Sequence, residues 1–215
     1  LMTVVLCGLL APWIAPQDPL AQDLFLGRLP PAWVMGAEPG FYLGTDSLGR
    51  DVLSRILYGA QIALLVAVIA GTLTCLIGAT LGLLAGFLRG WVDVVISRAI
   101  DIWMAFPPVL FSILLIAVMG PGLVSIIVAI VVIDWTRFAR VVRAEAMAQG
   151  AMDYVASAQV SGRGRISTML TEILPNVLPT IVVLLTLEMG IAVIVEAILS
   201  FVNLSISTDD PTWGG

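Results

Sequence analysis

Residues 56–88 read ILYGAQIALLVAVIAGTLTCLIGATLGLLAGFL, a run without one charged side chain. As a helix, at a rise of about 1.5 Å per residue, it would reach about 50 Å, well beyond the roughly 30 Å hydrocarbon core of a bilayer. The expected element is a spanning helix that tilts or extends past the hydrocarbon. Gly78, Gly82 and Gly86 recur every fourth residue and so share one face. Small residues there let a second helix come close.

The rest of the chain agrees with a membrane setting. Of 215 residues, 60% are hydrophobic and 12% charged, with mean hydropathy +1.06. Soluble domains are nearer one quarter charged. A polytopic, all-α transmembrane helical bundle is expected. The ten basic residues are all arginine and histidine is absent, which excludes histidine metal sites and histidine general bases. The net charge of −5 is spread along the chain and specifies no partner; nucleic acid is not expected as one. Cys7 and Cys75 lie in separate apolar runs and read as small buried hydrophobes, not as a disulfide or metal pair. Neither a G-x-x-x-x-G-K-[ST] loop nor a G-x-S-x-G elbow occurs, so no enzymatic activity is expected of this chain.

Before the long run, residues 1–14 read as a truncated first span closed by Pro12 and Pro16. Leu1 already lies inside an apolar run and the C-terminal residues stop without a polar tail, so both ends are expected to be cut. Residues 15–55 read as an extracytoplasmic segment leading to a helix start. Its polar, proline- and glycine-rich stretch is long enough to fold on itself, with Trp33, Phe41 and Tyr42 as interface anchors. Thr45, Asp46 or Ser47 is the expected helix cap, and Asp51 and Arg55, four apart, the expected pair.

After the long run, Arg89–Asp93 breaks the helix, and helical periodicity resumes through Arg98 and Asp101. Pro107 and Pro108 predict a kink, because proline removes a helical hydrogen bond and clashes with the preceding turn. Gly120-Pro121-Gly122 is a short turn. Residues 123–133 re-enter the membrane, and Asp134 to Arg137 mark the far interface, with Arg140 and Arg143 on the same helix. Residues 153–175, DYVASAQVSGRGRISTMLTEILP, form a polar, amphipathic elbow. Residues 176–204 are apolar apart from Glu188 and Glu196. A charge at a span's centre costs about 2.5–3.5 kcal/mol, so each is expected to face protein or water. Residues 205–215 are polar and leave the membrane.

Five crossings fit this pattern, with a core over 56–204 and a cytoplasmic loop over 144–176. Arg89, Arg98, Arg137, Arg140, Arg143, Arg163 and Arg165 fall on one side of it. Arg28, Arg50 and Arg55, diluted by five acids, fall on the other. Arginine excess marks the cytoplasmic face and places the elbow there. The acids Asp101, Asp134, Glu188 and Glu196 leave an alternative open, an ion-coupled secondary transporter using intramembrane acidic residues, although no internal inverted repeat is visible.

The elbow resembles the EAA loop of bacterial ABC importer permeases, whose pattern is E-A-A, three residues, G, nine residues, I-x-L-P. Ala156-Ser157-Ala158 occupies the first position, Gly162 the glycine, and Leu174-Pro175 the closing pair. Ala156 stands where an acid is usual, with Asp153 three residues earlier, and Glu172 where isoleucine is usual. The wider chain is similar to the dipeptide/oligopeptide/nickel subfamily, in its second-permease type. The resemblance runs in order through Leu43-Gly44-Thr45-Asp46, Gly49 to Arg55, Asp101 with Ala105-Phe106-Pro107, Gly120-Pro121-Gly122, Asp153-Tyr154-Val155, Ile173 to Asn176, Glu196-Ala197, Leu199-Ser200-Phe201 and Pro211 with Trp213-Gly214.

This resemblance implies a type I importer permease fold with a sixth span missing here. It implies a heterodimer with a second permease subunit, two ABC ATPase subunits that bind ATP and magnesium, and an extracytoplasmic substrate-binding protein, all in the inner membrane among its lipids. The chain itself would hold no cofactor and no metal. The coupling residues would be Asp153, Ala156, Ser157, Ala158, Gly162, Arg163, Arg165, Leu174 and Pro175, with the arginines adding charge contacts and Pro175 fixing the exit direction. Asp101, Met104 and Glu188 are candidate pore-lining residues. By the breadth of the subfamily, the cargo would be di- or oligopeptides.

Overall fold

The computed structural model describes residues 2–202 and 210–214. Eight α-helices and no β-strand are found among them, with a single β-bridge between Thr45 and Asp51. Helix α1 covers Met2–Ile14. Pro12 does not end it: a proline in the last turn withholds one N–H, and Ala15 still donates to the Ala11 carbonyl at 2.9 Å.

Helix α2, Val52–Leu88, is one unbroken element. Its cap is Asp51, not Thr45, Asp46 or Ser47. The Asp51 carboxylate accepts from the Ser54 N–H at 2.8 Å and the Ser54 hydroxyl at 2.6 Å. The earlier residues are drawn into a tight turn closed by Asp46, so helical geometry begins only after them. Arg55 turns its Nε toward Asp46, at 3.9 Å.

At Arg89 the backbone enters the left-handed region (φ 56°) and the chain reverses into α3, Gly90–Met104. Pro107 then breaks the path, and α4, Pro108–Met119, leaves at 86° to α3. After the 120–122 turn, α5 runs without interruption over Leu123–Gln149. It passes straight through the interface expected at Asp134 and takes in the start of the expected 144–176 loop. Two short helices follow, α6 (Asp153–Val160) and α7 (Arg165–Thr168). A π-helical turn, Met169–Ile173, then feeds α8, Leu174–Phe201.

The glycine face of α2 sets the packing. A Cβ built on Gly78, Gly82 or Gly86 would lie 2.5, 2.6 and 2.5 Å from the carbonyl oxygens of Trp135, Ala139 and Arg143. The α2 and α5 backbones therefore touch where the repeat predicts close approach. Both sequences advance together along this contact, so the two helices are parallel, and α3 with α4 must carry the chain back between them. Helix α8 runs antiparallel to α2, with Met189 beside Gly71 and Trp213 beside Gly59. Helix α1 is also antiparallel to α2: Gly8 abuts Leu64 and Ala60, and the Gln17 N–H reaches the Ser54 hydroxyl at 3.1 Å.

Two apolar cores stack along this frame. One joins Val66, Ala70, Ile116, Ile126, Ile130 and Leu199. The other joins Leu83, Phe138, Val142, Val155, Ile173 and Val177 at the end where the elbow sits. By length and apolarity, two stretches can cross a membrane, Val52–Leu88 and Arg165–Phe201, or three if the bent α3–α4 pair is one span. That is fewer than the five expected. Helix α1 has only 13 described residues, and α5 carries Asp134, Arg137 and Arg140 in its middle.

Candidate functional site

The elbow is a helix–turn–helix pinned at a few points. Val155 is buried with Met169 and Ile173 in the core beneath it, and Thr168 is buried beside them. The Tyr154 hydroxyl donates to Gln149 Oε1 at 2.8 Å and ties α6 to the end of α5. Helix α6 stops in a tight reversal. The Arg163 N–H reaches the Ala158 carbonyl at 3.2 Å and the Gly162 N–H the Gln159 carbonyl at 3.0 Å. This closure needs a left-handed residue, and Gly162, at φ +84°, supplies it. A Cβ on Gly162 would meet nothing within 4 Å, so its smallness serves the turn and not an internal contact.

The outward face carries most of the expected residues. Asp153, Ala156, Ser157, Gly162, Arg163 and Arg165 are exposed, Ala158 is partly buried, and Pro175 is exposed at the foot of α8. Arg163 is not a free charge: it pairs with Glu172 and donates to the Thr171 hydroxyl at 2.8 Å. Glu172, the departure from the family pattern, thus locks the turn of the elbow. Leu174 and Pro175 do not redirect the chain either. The helix continues through them: the π turn runs directly into α8 with Pro175 in its first turn, where proline is tolerated, and the Asn176 side chain donates to the Glu172 carbonyl at 2.7 Å.

Four apolar side chains around these residues escaped the sequence reading. Met152, Val160, Ile166 and Leu170 all point away from the body, Val160 at 89% exposure. A signal existed: Val155 and Val160 are five apart on one short helix and cannot share its buried face.

A second polar system lies along α5. Arg137 meets Asp134 at 3.1 Å and Glu188 of α8 at 3.3 Å. Arg140 meets Asp101 of α3 at 3.0 Å, and Arg143 forms a two-bond pair with Asp93 of α3. The arginines are spaced by three, so each turn of α5 presents one to a neighbouring helix. Glu188 is 1% exposed and Glu196 fully buried, so both face protein, as their cost in lipid requires. Of the three pore candidates, burial takes Glu188 off every open surface of this chain. Asp101 and Met104 are exposed. Met104 lines a hollow at the α3–α4 bend with Trp103, Phe106, Pro108, Asp134 and Arg137.

The segment between α1 and α2 does fold on itself. Thr45 Oγ1 accepts from the Leu29 N–H at 2.8 Å, and the Arg28 N–H reaches the Asp46 carbonyl at 2.8 Å. Gly49 (φ +76°) packs so tightly that a Cβ would stand 1.8 Å from the Asp23 carbonyl oxygen. Trp33 and Tyr42 are exposed on this segment, whereas Phe41 is partly buried. Past α8, Trp213 Nε1 donates to the Ile56 carbonyl at 3.0 Å, so residues 210–214 fold onto the start of α2. Residues 203–209, which include the first part of the expected exit over 205–215, lie outside the described ones.

Comparison with known proteins places these features in one class. The chain is 36% identical over 214 residues to a di/tripeptide transport system permease protein of Pseudomonas aeruginosa, covering all of this chain and 71% of that relative. It is 38% identical over 214 residues to a dipeptide transport system permease protein of Haemophilus influenzae, covering 72% of it. A glutathione transport system permease protein of Pectobacterium atrosepticum matches at 37% over 179 residues, which is 83% of this chain and 60% of the relative. The pattern of one family matches residues 78–215, a stretch that holds the glycine face, the α5 arginines and the whole elbow. The chain belongs to the binding-protein-dependent transport system inner membrane component family.

Proposed function

We propose that this multi-pass inner-membrane protein forms half of the translocation path of an ATP-driven peptide importer, with its elbow seated on a soluble ATPase. The observation that carries this is the elbow's outward face. Small residues (Ala156, Ser157) and unmatched apolar ones (Val160, Ile166, Leu170) are held away from the body by a turn that is itself firmly pinned. Exposed apolar side chains gathered on a rigid projection suit a docking surface. The relatives' names supply peptides as the cargo class. A second permease completes the path, two ATPases bind ATP and magnesium, and an external binding protein delivers cargo.

The geometry suggests how the push travels. Closure of the ATPases displaces α6. Val155 and Ile173 share one core, so the displacement reaches the π turn and then α8 without a flexible joint. Helix α8 is ionically tied to α5 through Glu188 and Arg137. Nucleotide biases this two-state element from one side and the loaded binding protein from the other. Asp101 and Met104, exposed near the bend, line the path in this scheme.

Vesicles holding the assembled complex test it. Uptake should require both ATP and the binding protein and should persist with a proton ionophore present. Abolition by the ionophore, with ATP still supplied, would revive the ion-coupled alternative, which family membership does not favour.

A further inference from the structure

Arg89 joins α2 to α3 in a backbone conformation that suits glycine. Its φ of 56° and ψ of −159° lie at the edge of a region that residues with a side chain rarely enter. Glycine at this position would take the same angles without a steric penalty. An arginine held there calls for a reason in what its side chain does.

One guanidinium nitrogen donates to the Met147 carbonyl at 3.3 Å, in the last turn of α5. The N–H groups of Gly150, Ala151 and Met152 donate to the carbonyls of Ala146, Ala148 and Gln149 at 2.9, 3.2 and 3.1 Å. Among the described residues no backbone N–H beyond the helix reaches Met147, and Arg89 supplies the donor that a helix end lacks. Helix α5 has no basic residue in its own last turn, and Glu145 stands just before it. The cation that suits the negative end of the helix dipole therefore comes from the α2–α3 junction.

This contact lies at the root of the elbow. A Cβ on Gly86 would stand 2.8 Å from the Ala146 Cβ, so the ends of α2 and α5 are side by side. The chain leaves α5 after Gln149 and enters α6 at Asp153, and the Gln149 side chain accepts the Tyr154 hydroxyl. The aim of the last turn of α5 thus sets the aim of α6. Stability does not account for the arrangement. An exposed hydrogen bond to a helix end stabilises less than such a backbone costs, so on balance Arg89 destabilises the junction. Residues kept under strain cluster where geometry serves function.

We propose that Arg89 is a positioning residue for transport: its guanidinium fixes the last turn of α5, and with it the angle at which the elbow leaves the bundle. The role rests on the proposed seat of the elbow on an ATPase.

Arg89→Gly and Arg89→Lys in the assembled complex separate backbone from side chain. Glycine relieves the backbone, so the melting temperature should rise by about 2–4 °C. It also removes the guanidinium, so the amides from Gly150 to Val155 should exchange faster, and uptake per ATP hydrolysed should fall about fivefold or more. Lysine keeps a donor and a charge, and should keep most of the amide protection and of the coupling. A lowered melting temperature in Arg89→Gly, unchanged exchange over 150–155, or wild-type uptake per ATP in that variant overturns the proposal. A lysine variant as uncoupled as the glycine one overturns it too. A photo-cross-linking residue at Ser157, in an otherwise wild-type chain, separates this role from the seat of the elbow. With an ATPase cross-link present, those outcomes count against Arg89 alone. With none, the seat itself falls and the transport role of Arg89 falls with it.

Discussion

Asp46 closes the segment between α1 and α2 with one carboxylate. Its Oδ1 accepts from the Leu48 N–H at 2.8 Å and the Arg50 N–H at 3.0 Å, and its Oδ2 from Arg50 Nε at 2.6 Å. Burial alone pushes its pKa up. The hydrogen bonds from Arg50 and Leu48, with the Arg50 charge, outweigh that and hold it below the ordinary carboxylate value. A group depressed on folding contributes stability above its unfolded pKa and loses it as pH falls through the folded value. The Leu48 and Arg50 amides should therefore stay protected from exchange at neutral pH and lose protection only below about pH 4. Asp46→Asn should loosen them at neutral pH by roughly 1–3 kcal/mol, read as faster intrinsic-rate-corrected exchange. Gly162 gives a second test at this level. Gly162→Val forces a branched residue into the left-handed region at a cost of about 1–2 kcal/mol, whereas asparagine tolerates that conformation. Uptake per ATP hydrolysed should fall in Gly162→Val and remain near wild type in Gly162→Asn. Equal loss in both would mean that the turn geometry is not what matters at this position.

Between helices, two kinds of contact hold the bundle, and each predicts its own failure. The α2–α5 contact is backbone on backbone. Gly82→Leu must push α5 away, with an overpacking cost of about 1–3 kcal/mol or more, visible as a lower Tm of the purified complex. Gly190→Leu is the matched control: its Cβ would meet nothing within 4 Å, so Tm should hardly move. The α5–α8 contact is ionic. Arg137→Gln leaves Glu188 buried without its cation, and removing one partner of a buried pair costs about 3–5 kcal/mol. Arg137 is itself half-exposed, which puts the loss at the lower end of that range. Adding Glu188→Gln to Arg137→Gln should recover much of it in the same melting measurement, and a double variant no better than the single one would deny the coupling.

At the level of the whole molecule, what could be read from sequence was what is written locally. The charge-free run over 56–88 and its four-residue glycine repeat are local, and α2 with its backbone contact on α5 followed from them. The polar elbow was legible for the same reason, as a change of composition between apolar runs. The cap of α2 was not, because Asp46 is drawn into a turn whose other side is the Arg28–Leu29 backbone, some sixteen or more residues away. Nor was the full length of α5. Its arginines looked like surface markers, yet their carboxylates come from α3 and α8, about fifty residues distant for Asp93 and Glu188. Once paired, they let the helix run on past the expected interface. The outward placing of Val160 and Ile166 is not legible from composition, because it is the body's grip on Val155 that turns them out.

In the proposed function, an ATPase bears on the elbow. A photo-cross-linking residue at Ser157, exposed at the middle of α6, tests it in the assembled complex. A cross-linked product between this chain and the ATPase subunit is expected, its yield changing between ATP-bound and nucleotide-free states. Cross-links only to the external binding protein or to lipid, with the complex intact, would contradict it.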